Sequence, residues 1–517
     1  MSEIASKLRP ALLVLACVAG LATATAQEAR LPDMGSSAGR VLSPAQQREY
    51  GTMLLSQLRH RNYTLNDPLL NQWLQGVGQR LGAASDRPDQ PFTFFLLKDR
   101  QINAFATLGG YIGVNAGLIL MSEREDELAG VLSHEIAHVT QTHVLRAVER
   151  AQRDQVPILL GMLAAIAAAQ SSNSSSSGNA AMAAVLGAQG LMIQRQIDYT
   201  RSNESEADRL GIRTLARGGY DPKAMANMFE RMQAATRANR GSEESRVPDY
   251  LMTHPVTTLR IAEAKERAGR VERAPLTHGA LSVSDNPLLP AGLRLRIEQG
   301  GGASGDFAWA RERLRVLSAR SPREALTEYE RLSRQKPLDE AGQYGLALAQ
   351  LGSNQTKAAR QTLSTLLDKH PGERWLQLAM AEAEARGGQT TAADERFERL
   401  RARFPADRAV AVIWARLLTE RNDAEAGRRA LTILRPLLGG AGDDPDFQRA
   451  FARANEIAGD NIRAGEAYAE AEFLTGNAEN ALLQLDTLRR RPDLDYYART
   501  RIDARIAAIT LMMERLR

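Results

Sequence analysis

The sequence predicts an α+β, mostly helical domain with a small sheet, followed by an all-α superhelix of repeated helix pairs. Three observations carry that expectation. The stretch Glu125 to His143 has helical periodicity and holds His134-Glu135-Ile136-Ala137-His138. Short strand patterns punctuated by glycine precede it. From Ala325 onward, small, large and proline residues recur every 34 positions. At 517 residues the chain exceeds the size at which one core keeps growing, so at least two domains are expected.

At the N-terminus, Lys7 and Arg9 precede the apolar run Pro10 to Leu21, and Ala24-Thr25-Ala26 supplies the small residues a signal peptidase reads. Residues 1–26 therefore read as a secretory signal peptide, with an apolar run too short for a membrane span. The single cysteine, Cys17, lies inside that run, so the mature chain uses neither disulfides nor a thiol nucleophile. Acylation of Cys17 is the alternative, and Leu15 and the short run before it fit that less well. The net charge of +5 is spread along the chain. No basic stripe is interleaved with aromatics, so no nucleic acid is expected as partner, whereas anionic membrane surface or acidic clients suit the charge.

Residues 69–81 read as a helix started by Asn66-Asp67-Pro68, with Trp73, Val77 and Leu81 as core positions. Phe92 to Leu97 reads as a strand, and Ala104-Phe105-Ala106 leads through a Gly109-Gly110 turn into a second short strand. That glycine-rich segment, Gly110, Tyr111, Ile112, Gly113, Val114 and Asn115, is expected to form an edge beside the histidine helix and to bind an extended peptide by strand addition.

On a helix, His134 and His138 stand one turn apart on the same face with Glu135 beside them. Two imidazoles so placed can hold a zinc ion, and the carboxylate can act as the base for its water. Glu204, in the first turn of a second helical segment, is the candidate third ligand, completing a two-His, one-Glu set with an open position. Asp208 lies four residues on, on the same face, where it can accept the outer ring N–H of a ligand histidine. Glu206 points elsewhere and reads as a solvated side chain.

These motifs resemble the M48 family of zinc metallopeptidases, whose signature is His-Glu-x-x-His followed downstream by Glu-x-x-Ala-Asp, here His134 to His138 and Glu204 to Asp208. Asn103 to Ile119, Gly219 to Met225 and Thr253 to Ile261 also match the family pattern. The resemblance implies a zincin-like fold, one Zn(2+) per chain and peptide-bond hydrolysis with Glu135 as base. It further implies that His254, presented from a loop before Pro255, occupies the water position at rest as a fourth ligand, and that Arg260 supports the cleft or the intermediate. Without the resemblance His254 reads as a helix cap or surface histidine. A secretory signal with C-terminal repeats resembles family members that act in the periplasm, near a membrane surface, on outer-membrane proteins and their assembly machinery. The competing class is a chaperone or assembly factor working mainly through its repeats, with rare proteolysis. A purely structural metal staple would leave Glu135 and the open ligand position without a use.

Between the two motifs, residues 156–192 form an insert with apolar arms of 14 and 13 residues, Val156 to Ala169 and Ala180 to Met192, around a serine-rich tip. Each arm is shorter than the roughly 20 residues that cross a bilayer. A helical pair packed over the cleft is favoured, and membrane contact stays open. The metallopeptidase-like region is placed at 27–265 and a proline- and glycine-containing link at 266–300. In the region 301–517, Ala325, Ala359 and Ala393 share the 34-residue period with Tyr329, Leu363 and Phe397, with Leu332, Leu366 and Leu400, and with Pro337, Pro371 and Pro405. Small residues at helix crossings, large ones in the core and proline in the loop are what tetratricopeptide helix pairs require. The register blurs from about Ala424 and returns around Ala469, Ala481, Leu485, Leu488 and Pro492.

Overall fold

Asp67 and Pro68 open the first large core helix as their types require. The computed structural model describes residues 42–147, 149–150, 199–239, 249–271 and 302–516. The expected signal peptide with Cys17, the insert 156–192 and most of the link 266–300 lie outside the described residues. After helix α1 (Pro44–His60), α2 spans Pro68–Ala84, with the Asp67 carboxylate accepting from Leu70 N and proline at the first helical position. Trp73, Val77 and Leu81 are buried along its inner face as their spacing demands.

Three short strands follow: β1 (Thr93–Leu97), β2 (Ala104–Ala106) and β3 (Tyr111–Asn115). Gly109 and Gly110 take φ of 75° and 84°, a left-handed turn open to glycine, and return the chain so that β3 runs antiparallel to β2. The spatial order is β1-β3-β2, with β1 parallel to β3. This corrects the expectation that residues 110–115 form an edge. Tyr111 to Asn115 pair with Thr93 to Leu97 on one side, and Ile112 to Val114 pair with Ala106 to Ala104 on the other. The central strand has no free backbone edge to offer. The outer strand on the side of the histidine helix is β2.

After α3 (Ala116–Met121) comes α4 (Glu125–Thr140), which carries the His-Glu motif. Leu128, Val131, Leu132 and Ile136 are fully buried, each contributing about 1.5–3 kcal/mol by leaving water. Its acidic first turn is buried as well, and the carboxylates are paired. Glu125 accepts from Trp73 Nε1 at 3.1 Å, Tyr220 OH at 3.2 Å and Ser304 N at 2.8 Å. Glu127 accepts from Arg231 Nη2 at 3.1 Å. The helix α5 is described over 199–217. Then come α6 (Ala224–Asn239), α7 (Asp249–Thr253) and α8 (Thr258–Arg270), the last continuing past the boundary expected at 265.

The repeat array begins with α9 (Phe307–Leu317) and α10 (Pro322–Gln335). Second helices of successive pairs start at Pro322, Thr356, Thr390 and Ala424, preserving the 34-residue period. Ala325, Ala359, Ala393, Tyr329, Leu363 and Phe397 are buried at the crossings, while Leu332 is half-buried. A short turn, Arg435–Leu437, and the helix Leu438–Ala441 then intervene, so the next second helix starts at Asn461 and the period slips. That extra turn is why the sequence register blurs after Ala424.

The first repeat helix is docked into the N-terminal core: Phe307 lies against Trp73 with ring centroids 6.2 Å apart, and Arg313 bonds both oxygens of Asp67. The far end returns to α1, where Arg59 Nη1 donates to Leu474 O at 3.3 Å and Arg515 pairs with Glu49 at 3.1 Å. No described helix is long and apolar enough to cross a membrane.

Candidate metal centre

Helices α4 and α5 meet where Gly211 lies against the backbone of His134. A Cβ on Gly211 would stand 3.1 Å from His134 N, so a side chain there would push the two helices apart. This approach brings Glu204 to the histidines. His134, His138, Glu204 and His254 offer ligand atoms that all lie within 4.8 Å of one another. His134 Nε2 is 3.4 Å from Glu204 Oε2, and His138 Nε2 is 3.4 Å from Glu204 Oε1. The two Nε2 atoms are 3.0 Å apart, and His254 Nδ1 is 3.4 Å from His134 Nε2 and 2.9 Å from Glu204 Oε1. A tetrahedral ion with bonds of about 2.1 Å separates its ligand atoms by about 3.4 Å. The donor set and its spacing therefore fit a divalent metal.

The outer faces of these groups are also held. His134 Nδ1 lies 2.9 Å from Asp208 Oδ1. Arg260, buried on α8, donates from Nε and Nη2 to the two Asp208 oxygens, each at 2.8 Å, and its Nη1 is 2.8 Å from Glu204 Oε2. Its guanidinium also lies over the Phe229 ring, 4.9 Å from the centroid. Thr257 caps α8 by accepting from Arg260 N at 3.2 Å, which sets that arginine's place.

His254 follows α7 on a non-helical turn, its N–H donating to Tyr250 O at 2.7 Å and its ring stacked on Tyr250 with centroids 4.8 Å apart. It is half-buried in the cluster, with Nε2 3.8 Å from Glu135 Oε1. Tyr250 N donates at 3.3 Å to the carbonyl of Ile102, just before the outer strand β2. Glu135 is buried, and neither carboxylate oxygen has a hydrogen-bond partner among the described residues.

Burial raises the pKa of Glu135, against the nearby His254 and His134 charges. Burial lowers His138 to about 3. For His134 burial also pulls down, but the Asp208 and Glu204 carboxylates outweigh it and raise the ring to about 10. Burial pushes Glu204 and Asp208 up, and the facing histidines, with Arg260 for Asp208, hold both below the usual carboxylate range.

The expected site residues His134, Glu135, His138, Glu204, Asp208, His254 and Arg260 thus come together. Gly110 to Asn115 do not border the cleft as an edge. The region with the His-Glu-x-x-His and second carboxylate helices and the repeat array that follows it both match known families in sequence. Residues 68–268 match the model for Peptidase family M48, and residues 316–382 and 375–407 match tetratricopeptide repeat models. The chain is 30% identical over 491 residues to the beta-barrel assembly-enhancing protease of Escherichia coli (strain K12), covering 94% of this chain and 92% of that protein. This chain belongs to peptidase family M48. A beta-barrel assembly-enhancing protease of Yersinia pestis is 31% identical over 487 residues, covering 94% of this chain and 93% of that protein. A mitochondrial metalloendopeptidase of Schizosaccharomyces pombe is 27% identical over 194 residues, 38% of this chain and 52% of that one.

In this M48 peptidase the clustered site is that of a zinc-type metalloendopeptidase. Two features escaped the sequence. Glu206 is not simply solvated, because its carboxylate accepts from Arg146 Nη2 at 2.8 Å and lies 3.1 Å from His143 Nε2. His143 in turn lies behind His138, and its five-residue spacing from that histidine was the available signal.

Proposed function

We propose that this M48 peptidase is a zinc-dependent endopeptidase of the periplasm, acting in quality control and assembly of outer-membrane proteins and latent until the His254 segment moves. The observation that carries the reaction is buried Glu135, without a hydrogen-bond partner among the described residues, beside the four-donor cluster. His134, His138 and Glu204 would hold the metal, with His254 at the fourth position at rest. Bound zinc supplies Lewis-acid polarisation of a carbonyl and acidifies a water. Glu135, whose burial favours taking up a proton, accepts the water proton and returns it to the leaving amine. Asp208 orients His134, and Arg260 fixes Asp208 and Glu204 at once.

An extended substrate adds along the outer side of β2 rather than along 110–115. Support comes from the sheet order and from Tyr250 N–H, which bonds Ile102 O on that side. Displacing residues 249–254 would free the substrate edge and the fourth metal position together. Periplasmic location and outer-membrane clients rest on the expected signal peptide and on relatives named as beta-barrel assembly-enhancing proteases. Metal analysis of the purified protein, with casein cleavage by wild type and Glu135→Gln, tests the reaction. Full activity in the variant would remove the assignment.

A further inference from the structure

Helix α4 ends in a strained turn that has no role in the chemistry described so far. Thr142, a β-branched residue, sits at φ of 54°, in the left-handed region that such side chains rarely adopt. The turn is held by Thr142 N donating to Val139 O at 3.0 Å and by Arg146 N donating to Thr142 O at 2.9 Å. After it the chain resumes a short helical stretch, 143–147, whose first residue, His143, is buried against His138.

There, His143 Nδ1 is 2.8 Å from His138 Nδ1, and His143 Nε2 is 3.1 Å from Glu206 Oε2. Arg146 Nη2 holds the same carboxylate oxygen at 2.8 Å and reaches Asn203 Oδ1 at 3.3 Å. Donor and acceptor roles follow from the chain's far end. A carboxylate only accepts, so His143 carries its hydrogen on Nε2 and leaves a lone pair on Nδ1. His138 must then donate from Nδ1, which leaves the lone pair on its Nε2, the atom that faces His134 and Glu204.

We propose that His143 is a positioning residue for His138, fixing that ring's tautomer and orientation toward the metal, with Glu206 and Arg146 holding His143 in turn. The proposal rests on His138 being a metal ligand. His134 is backed directly by a carboxylate, whereas His138 is backed by a neutral imidazole that relays one. The relay also spans the two helices that supply ligands, because Glu206 lies two residues from Glu204 on α5. A histidine that merely filled the helix end would be replaceable by any side chain of similar volume.

The test uses the full chain with His143→Leu, His143→Gln and Glu206→Ala. Zinc affinity is measured by competition with a chromophoric chelator, and the visible spectrum is recorded with Co(II) alone in the site. His143→Leu should weaken zinc binding on the order of 10–100-fold and change the cobalt bands. His143→Gln should recover most of the loss, because its amide oxygen can accept from His138 and its NH2 can donate to Glu206. Glu206→Ala should give an intermediate loss, since His143 is then free to take either tautomer. Zinc affinity within twofold of wild type and an unchanged cobalt spectrum in His143→Leu would overturn the proposal, as would glutamine performing no better than leucine. Should the leucine variant fail to fold, wild-type affinity and spectrum in Glu206→Ala would overturn it alone. A wild-type protein that takes up neither metal would overturn the metal assignment as well, which separates the two failures.

Discussion

Arg313, on the first repeat helix, grips Asp67 through Nε to Oδ1 at 3.0 Å and Nη2 to Oδ2 at 2.7 Å, and the same Oδ1 caps α2. Both side chains are buried, so removing the arginine strands a carboxylate at the seam between the repeats and the peptidase core. Arg313→Ala is expected to destabilise the protein by roughly 3–5 kcal/mol, measured by urea unfolding. A loss under about 1 kcal/mol would mean that the seam does not depend on this pair.

Glu135→Gln keeps the shape of the buried side chain and removes the base. Casein cleavage is expected to fall by about 10²–10⁴-fold with the zinc content unchanged. The same variant separates the two functional classes. Restored outer-membrane integrity in a deletion strain carrying Glu135→Gln would assign the assembly role to the repeats rather than to cleavage.

Replacing His254 by alanine should raise basal casein cleavage, because three protein ligands remain and the fourth position opens. Zinc content is measured alongside. Unchanged proteolysis would end the latch idea, and lower proteolysis with zinc retained would reassign His254 to the transition state.

The His134 ring gives a pH dependence that reverses with metal. After chelation, its pKa of about 10, above the ordinary histidine value near 6.5, contributes stability that is fully present below pH ~6.5 and lost as pH rises through ~10. Glu204 and Asp208 are shifted down, so their contribution is present above the usual carboxylate range and lost as pH falls below it. Tm of chelated protein is therefore expected to decline from pH 6.5 to 9.5. The added stability from zinc should grow over that interval, because binding displaces the His134 proton. A chelated protein whose Tm rises from pH 6.5 to 9.5 would contradict the shift.

The candidate metal cluster was legible because each half of it is local: His134, Glu135 and His138 share one helical turn, and Glu204 and Asp208 share another. The repeats were legible for a similar reason, since a stacked pair contacts mainly its neighbours and each column repeats one environment. The strand order was not. Parallel pairing of β1 with β3 skips over β2, and nothing in a five-residue alternation records which neighbour a strand selects. Nor did spacing show that Glu206 would turn to His143, because that contact depends on the left-handed turn at Thr142 and on how α5 packs against the end of α4.

The contacts of Arg59 with Leu474 and Arg515 with Glu49 make the repeat array an arch footed at α9 and at α1, with a further contact between the footings where Ala409 N donates to Gln72 Oε1 at 3.2 Å. A solenoid with a free end tolerates an added or missing unit at that end. An arch does not, because its span must match the distance between its footings. One further 34-residue unit, or one fewer, would carry the far footing away from α1 even if every helix pair stacked correctly. The length of the array is thereby matched to the distance between its two footings on the peptidase region.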